Sequence, residues 1–275
     1  MTYVEPPQPV RIVTTSWDDG HPLDLRIAEL LGKFQMKGSF YVPLKRRRRP
    51  LMDPGHLRSL ADAGMEVGSH TMTHAPLTRA RDPAAEMRNS KARLEDLLGA
   101  PVLSLCYPDG RFNSKISLLC AESGYRLGRT TMSFRPELPF DPYAMPTCFQ
   151  LFPHNRTAHM LHAVRERNWK GISNWSRLWN MSGDIITLAE LGMQHVLKFG
   201  GIMHVWGHSW EIEEFGLWDL LIEVLSRIAR HPKITYFTNL ETVVALSHTN
   251  THSVQVPVVD NQGRTAAFAE ASKSG

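Results

Sequence analysis

Short apolar runs alternate with amphipathic segments of helical length through most of this chain, and that alternation constrains its fold more than any other feature. The strand-like runs are Ile12–Trp17, Ser39–Val42, Met65–Ser69, Val102–Cys106, Tyr125–Arg129, Ile202–Trp206 and Ile234–Phe237. Between them lie Leu23–Phe34, Asp53–Ala63, Pro83–Leu98, Ser114–Glu122 and Glu214–Arg230, the last with a stripe of Leu217, Leu220, Leu221, Val224, Leu225 and Ile228 at helical spacing. A strand, a helix of this length and another strand make a crossover, and crossovers join parallel strands. The expectation is therefore an α/β fold with a parallel sheet, open or closed into a barrel. The interval 131–200 breaks the rhythm with Pro136, Pro139, Pro142, Pro146 and Pro153 and a Trp-rich piece, NWKGISNWSRLWN. It reads as an irregular insertion packed on the main fold, which spans 1–248. Residues 249–275 have no sustained period and read as a tail.

Composition narrows the class. Of 275 residues, 42% are hydrophobic and 21% charged, an ordinary globular balance. No stretch approaches the roughly 20 apolar residues a membrane span needs. The N-terminus lacks an apolar signal core, and Cys106, Cys120 and Cys148 form no CxxC pair, so reduced thiols in a cytoplasmic protein are expected. Much of the formal +4 charge sits in Lys45-Arg-Arg-Arg-Arg49. Without interleaved aromatics this run reads as a solvated loop, not a nucleic-acid platform.

Chemistry gathers at the C-terminal ends of the strand-like runs, where parallel α/β folds build their sites. Asp18 and Asp19 of SWDDG end the first run, and SHTMTH with His70 and His74 follows the third. Tyr107-Pro108-Asp109-Gly110 follows the fourth, and His204 to Glu211 ends the sixth. Adjacent carboxylates resist joint ionisation unless a cation or donors relieve them. In a helical turn, histidines four apart would project from one face. With a carboxylate from Asp18 or Asp19 they would make a three-ligand set that leaves a metal an open position.

SWDDG, SHTMTH, YPDG and a late strand-end histidine, in that order, resemble the polysaccharide deacetylase family. The resemblance runs from about Thr14 to Leu246, with 131–200 unmatched. It implies a distorted (β/α)7 barrel, a TIM-like relative, and a metal-dependent hydrolase that removes acetyl groups from sugars by attack of a metal-activated water. By position it assigns Asp18 as general base and Asp19, His70 and His74 as ligands of one divalent ion, zinc by preference, with cobalt, nickel or manganese also suited. The backbone N–H of Asp109 would serve the oxyanion, with Tyr107 and Trp206 beside the substrate. His208, at the end of its strand and followed by Glu211 to orient it, is the expected general acid, while His204 inside the strand is a supporting core residue. The chain departs from the family pattern at Cys106, where an arginine is usual two residues before the proline, leaving the tuning of Asp18 unassigned. The family's Asp-and-Trp segment is also missing, with Trp169, Trp175 or Trp179 as candidate replacements.

An acetylated amino sugar is thus the leading substrate class, with no nucleic-acid or membrane partner expected. Hydrolysis of another amide C–N bond, of ureide or cyclic-imide type, is the alternative. An inactive carbohydrate-binding barrel is a third reading, disfavoured by the complete Asp18, Asp19, His70 and His74 set. Trp17, Trp206 and Trp210 lie close enough in sequence to stack on a sugar face.

Overall fold

The computed structural model describes residues 9–45 and 49–250; the expected 251–275 portion of the tail and the centre of the arginine run lie outside the described residues. Eight strands form one parallel sheet: β1 Arg11–Asp18, β2 Ser39–Val42, β3 Glu66–Ser69, β4 Ser104–Cys106, β5 Leu127–Arg129, β6 Phe149–Gln150, β7 Gly201–Gly207 and β8 Thr235–Tyr236. The order is β5-β4-β3-β2-β1-β7-β6, with β8 paired to β1. The helices are α1 Asp24–Lys33, α2 Pro54–Asp62, α3 Pro83–Leu98, α4 Ser114–Glu122, α5 Arg156–Arg165, α6 Trp169–Leu178, α7 Ile185–Phe199, α8 Ser209–Glu214, α9 Trp218–Ile228 and α10 Asn239–Asn250. None of them is long and apolar enough to cross a membrane.

The strand β1 is buried along almost its whole length, as a central parallel strand must be. Its hydroxyl side chains are tolerated because each is bonded: Thr14 Oγ1 donates to Asn239 Oδ1 at 2.8 Å, Thr15 Oγ1 to the Lys37 carbonyl at 3.2 Å, and Ser16 meets His204. On one side β1 pairs with β7 from Arg11↔Gly201 to Trp17↔Gly207. On the other it is shared, with β8 taking Ile12 and Val13 and β2 taking Ser16 to Asp18. That wedge is where the barrel departs from regularity. Residues 145–151 bridge the gap between β5 and β7 by isolated backbone bonds and the two-residue β6. Met145 N–H bonds the Gly128 carbonyl beside β5, while Cys148 and Leu151 N–H bond the His204 and Trp206 carbonyls of β7. The result is a parallel α/β half-barrel with its helices outside, the distorted barrel expected.

Interval 131–200 is more ordered than its prolines suggest. It contributes β6 and three helices, each begun by an Asn or Asp cap: Asn155, Asn168 and Asp184 accept from the N–H of Ala158, Gly171 and Thr187. Trp175 and Trp179 are fully buried and pack on Phe134, with ring centroids 5.5 Å from it in both cases. The other correction is at Glu214–Arg230: Glu214 is the last residue of α8, and the helix carrying the apolar stripe, α9, starts only at Trp218. Gly216, at φ +64°, ends α8 and restarts the chain at Leu217.

Candidate active site

Strand register brings the predicted residues to one level. Trp17 pairs with Gly207, so the next residues, Asp18 and His208, leave adjacent strands together. Ser69 pairs with Leu105, which sets His70 beside Cys106. All of them open into one cleft of about 1100 Å³, lined by Asp18, Asp19, His70, His74, Asp109 and His208 among others. The loops there are strained: Asp19, Thr71, His74 and Asp109 have φ of +83°, +67°, +58° and +56°. Non-glycine residues hold such angles at about 1–3 kcal/mol each, and they cluster where side chains must be aimed. Gly110 next to them is obligatory. Its φ is +64°, and a Cβ there would fall 1.8 Å from Thr131 Oγ1.

The HxxxH pair converges, but not by helical spacing. Residues 70–75 form no helix, and it is the left-handed turns at Thr71 and His74 that bring the two rings to 4.6 Å, edge to face. His74 Nε2 lies 3.2 Å and His70 Nε2 3.9 Å from Asp19 Oδ1. One donor atom from each of the three residues falls within 4.8 Å of the others. His70 Nδ1 is committed to the Cys106 carbonyl at 2.9 Å, leaving Nε2 for the cleft. Burial holds the His70 ring neutral, with its pKa down to about 4. One carboxylate with two imidazoles suits zinc and neighbouring divalent ions. Asp18, His70 and Cys106 form a second close group. Its thiol fits a metal poorly, because burial raises the Cys106 pKa well above normal and its Sγ–H donates to Asp18 Oδ2 at 3.6 Å. Trp210 Nε1 donates to Asp19 Oδ2 at 2.8 Å, fixing that carboxylate, and its other face is covered by the Arg49 guanidinium 3.3 Å away.

Asp18 is tuned by a residue the sequence reading missed. Arg129, fully buried at the end of β5, donates from Nη2 to Asp18 Oδ1. Burial alone would push the Asp18 pKa up; the Arg129 charge, with His70 and His208, overcomes it and leaves the carboxyl below its ordinary value. The guanidinium also lies 4.9 Å from the Trp206 ring and 5.4 Å from that of Tyr41. An arginine from β5 thus meets the carboxylate where the family pattern would bring one from position 106. The available signal was a charged residue closing a short apolar strand, GYRLGR.

His208 donates from Nδ1 to Glu211 Oε2 at 2.6 Å, with Nε2 turned to the cleft 3.7 Å from Asp19 Oδ2. Burial works against the charged ring, but the Glu211 carboxylate outweighs it and raises the pKa. Gln150 Nε2 in turn donates to Glu211 at 2.9 Å, and His154 bonds Gln150 Oε1 at 3.0 Å. His204 is fully buried, with Nδ1 donating to the Pro146 carbonyl and Nε2 accepting from Ser16, both at 2.9 Å. It is kept away from the cleft, as expected of a supporting residue.

Other expected site residues divide. Trp206 lines the cleft, 8% exposed, with its Nε1–H unpartnered in the protein. Tyr107 reaches the cleft, but its ring is buried, stacks on Phe112 at 5.3 Å and donates its hydroxyl to the Tyr143 carbonyl at 2.9 Å, so the phenol is spent on packing. Trp17 is a core residue with no exposure. None of Trp169, Trp175 and Trp179 lines the cleft, so they do not replace the missing Asp-and-Trp segment: the latter two are core, and Trp169 is on the surface.

Comparison with known proteins gives a family match over part of the chain and a shared fold. Residues 5–128 match the family model described as polysaccharide deacetylase. A Mycobacterium smegmatis protein described as a polysaccharide deacetylase superposes with a TM-score of 0.55 at 16% identity, over 98% of this chain and 100% of that one, which shows a shared fold. A polysaccharide deacetylase from Bacillus cereus is 24% identical with a TM-score of 0.42, over 48% of this chain and 45% of its own. A gellan lyase of a Bacillus species is 40% identical over 63 residues, 22% of this chain and 2% of that protein. The chain thus spans less than half the length of the last two. Residues 5–128, with SWDDG, SHTMTH and YPDG all inside them, are the part of the chain that matches the polysaccharide deacetylase family.

Proposed function

We propose that this protein is a divalent-metal-dependent hydrolase that removes an acetyl group from an acetylated amino sugar. The observation that carries the reading is one cleft holding three things together: the convergent Asp19, His70 and His74 donors, an arginine-held Asp18 and a glutamate-held His208. A divalent ion on Asp19, His70 and His74 would supply Lewis acidity, acidifying water and polarising an acyl oxygen.

Asp18 is the base. Its pairing with Arg129 keeps it ionised at neutral pH, and Oδ2, which meets only the weak Cys106 donor, takes the proton from the attacking water. His208 is the acid. Glu211 favours its protonated form through Nδ1, and Nε2–H is the proton delivered to the departing nitrogen. Each of these transfers is worth roughly 100- to 10,000-fold. The Asp109 N–H, in a strained turn at the cleft, and the Trp206 Nε1–H are the protein's neutral donors for the substrate's oxygens.

The test is acetate release from N-acetylated chitooligosaccharides by protein loaded with zinc or cobalt. Release that stops on chelation and returns with either ion is expected. Ring opening of a hydantoin or a ureide by the same preparation, with no acetate from any acetylated glycan, would overturn the sugar assignment.

A further inference from the structure

One wall of the cleft is built by α5 and its flanks, outside the residues that match the family model. His159, His162, Arg165 and Arg167 line it, and Arg79 and Arg111 line the same cleft from other loops. Among the described residues, none of these four arginines has a carboxylate within 4 Å. Four of the cleft's five acids have other partners: Asp18 is held by Arg129, Asp19 by Trp210, Glu211 by His208 and Gln150, and Glu166 by Thr131 at 2.5 Å, with the Arg165 charge also acting on Glu166; Asp109 lines the cleft as well. His159 adds an independent observation. It is only 7% exposed, packed between Phe134 and Trp175 at 5.3 and 5.5 Å, and its Nε2 has no partner in the protein although the residue faces the cleft. A buried polar atom left this way costs about 1–3 kcal/mol unless something bonds it.

We infer that this wall is a subsite for an anionic group, a carboxylate or phosphate, carried by the substrate beside its acetylated unit. Arginine forks match the paired oxygens of both anions, and a neutral imidazole in its Nε2–H form donates to either. Burial does keep the His159 ring neutral, with its pKa at about 4, so the donor form is available at neutral pH. The natural substrate is then an acidic glycan or sugar phosphate rather than a neutral chitin-like chain. This rests on the cleft being the substrate site proposed above.

The experiment measures binding and turnover of zinc-loaded protein with three acetylated ligands: chitotetraose, which is neutral, a hyaluronan tetrasaccharide, which carries uronates, and N-acetylglucosamine 6-phosphate. At least tenfold tighter binding of one acidic ligand than of chitotetraose at low salt is expected, falling as sodium chloride is raised. Preference for the uronate assigns the carboxylate source, and preference for the phosphate assigns the other. Arg167→Ala, an exposed change, and His159→Gln should each remove most of that preference while leaving chitotetraose binding unchanged. Equal binding of neutral and acidic ligands, or equal losses for both in the variants, would overturn the subsite. The deacetylation reading fails separately: acidic ligands would then bind selectively while none of the three yields acetate.

Discussion

Residues 9–130 and the interval 131–200 meet across one cleft but are built on different rules. The first supplies β1 to β5, whose ends carry Asp18, Asp19, His70, His74 and Arg129 at matched register, so each reactive atom is held by a strand and a strained turn. The second supplies a two-residue strand and three capped helices, held by an aromatic cluster around Phe134, and offers the cleft a wall of histidines and arginines. On the proposed reading, backbone pairing places the chemistry and side-chain packing places the recognition. Changes in the first region should therefore act on metal affinity and kcat, and changes in the second on KM.

The largest effect is expected from Asp19→Asn. An amide keeps the shape but not the charge of the ligand, so zinc affinity measured by competition with a chelator should fall at least tenfold and acetate release should fall below detection. Unchanged zinc affinity would place the ion elsewhere and break the division at its source. Asp18→Asn comes next: zinc should stay bound while kcat falls roughly 100- to 10,000-fold, because an amide cannot take the proton. Equal zinc loss in both variants would merge the two roles.

Much of the first region was legible in the sequence because its signals are local. The strand ends, the Asp-Asp pair and the two histidines all lie within stretches of a few residues, and helices such as Pro83–Leu98 and Ser114–Glu122 fall at the limits their periodicity gives. What was not legible depends on distant partners. Arg129 meets Asp18 across 111 positions, and no spacing rule joins them. The turn geometry that aims His70 and His74 rests on left-handed residues without glycine, which propensity does not flag. In the second region the prolines hid the capped helices; in the first, Tyr107 looked available because sequence cannot show that its hydroxyl is taken by Tyr143.

Arg129→Met sharpens the comparison by removing the one group of the first region that sequence did not reveal. Stranding Asp18 as an uncompensated buried charge should cost about 3–5 kcal/mol of stability. It should also raise the Asp18 pKa, moving the acid limb of the kcat profile toward neutral pH, whereas a merely structural residue would lower Tm and leave that limb in place. Adding Cys106→Arg to this variant should recover part of both losses, since that side chain already reaches Asp18 Oδ2. A double variant with the acid limb still displaced would show that only the β5 arginine can serve.

The smallest effect on turnover is expected at His204, which ties the two regions together through Ser16 of β1 and the Pro146 carbonyl of the interval. Burial, and then the nearby Arg129 charge, push its pKa down to about 3, so the folded protein keeps the ring neutral. The unfolded chain protonates it near 6.5, and below that pH the unfolded state holds the extra proton. This contribution is therefore complete above pH 6.5 and is lost as pH falls toward 3, at up to about 1.4 kcal/mol per pH unit. His204→Gln removes the titration while keeping a polar side chain. Urea unfolding of zinc-loaded parent and variant at pH 7.5, 6.0 and 5.0 isolates it, because the other buried histidines cancel in the difference. The variant should be the less stable at pH 7.5, with a gap that narrows at each step down and kcat at pH 7.5 within about twofold of the parent. A gap that stays constant with pH would mean that His204 joins the two regions by packing alone, with no part played by its neutral charge state.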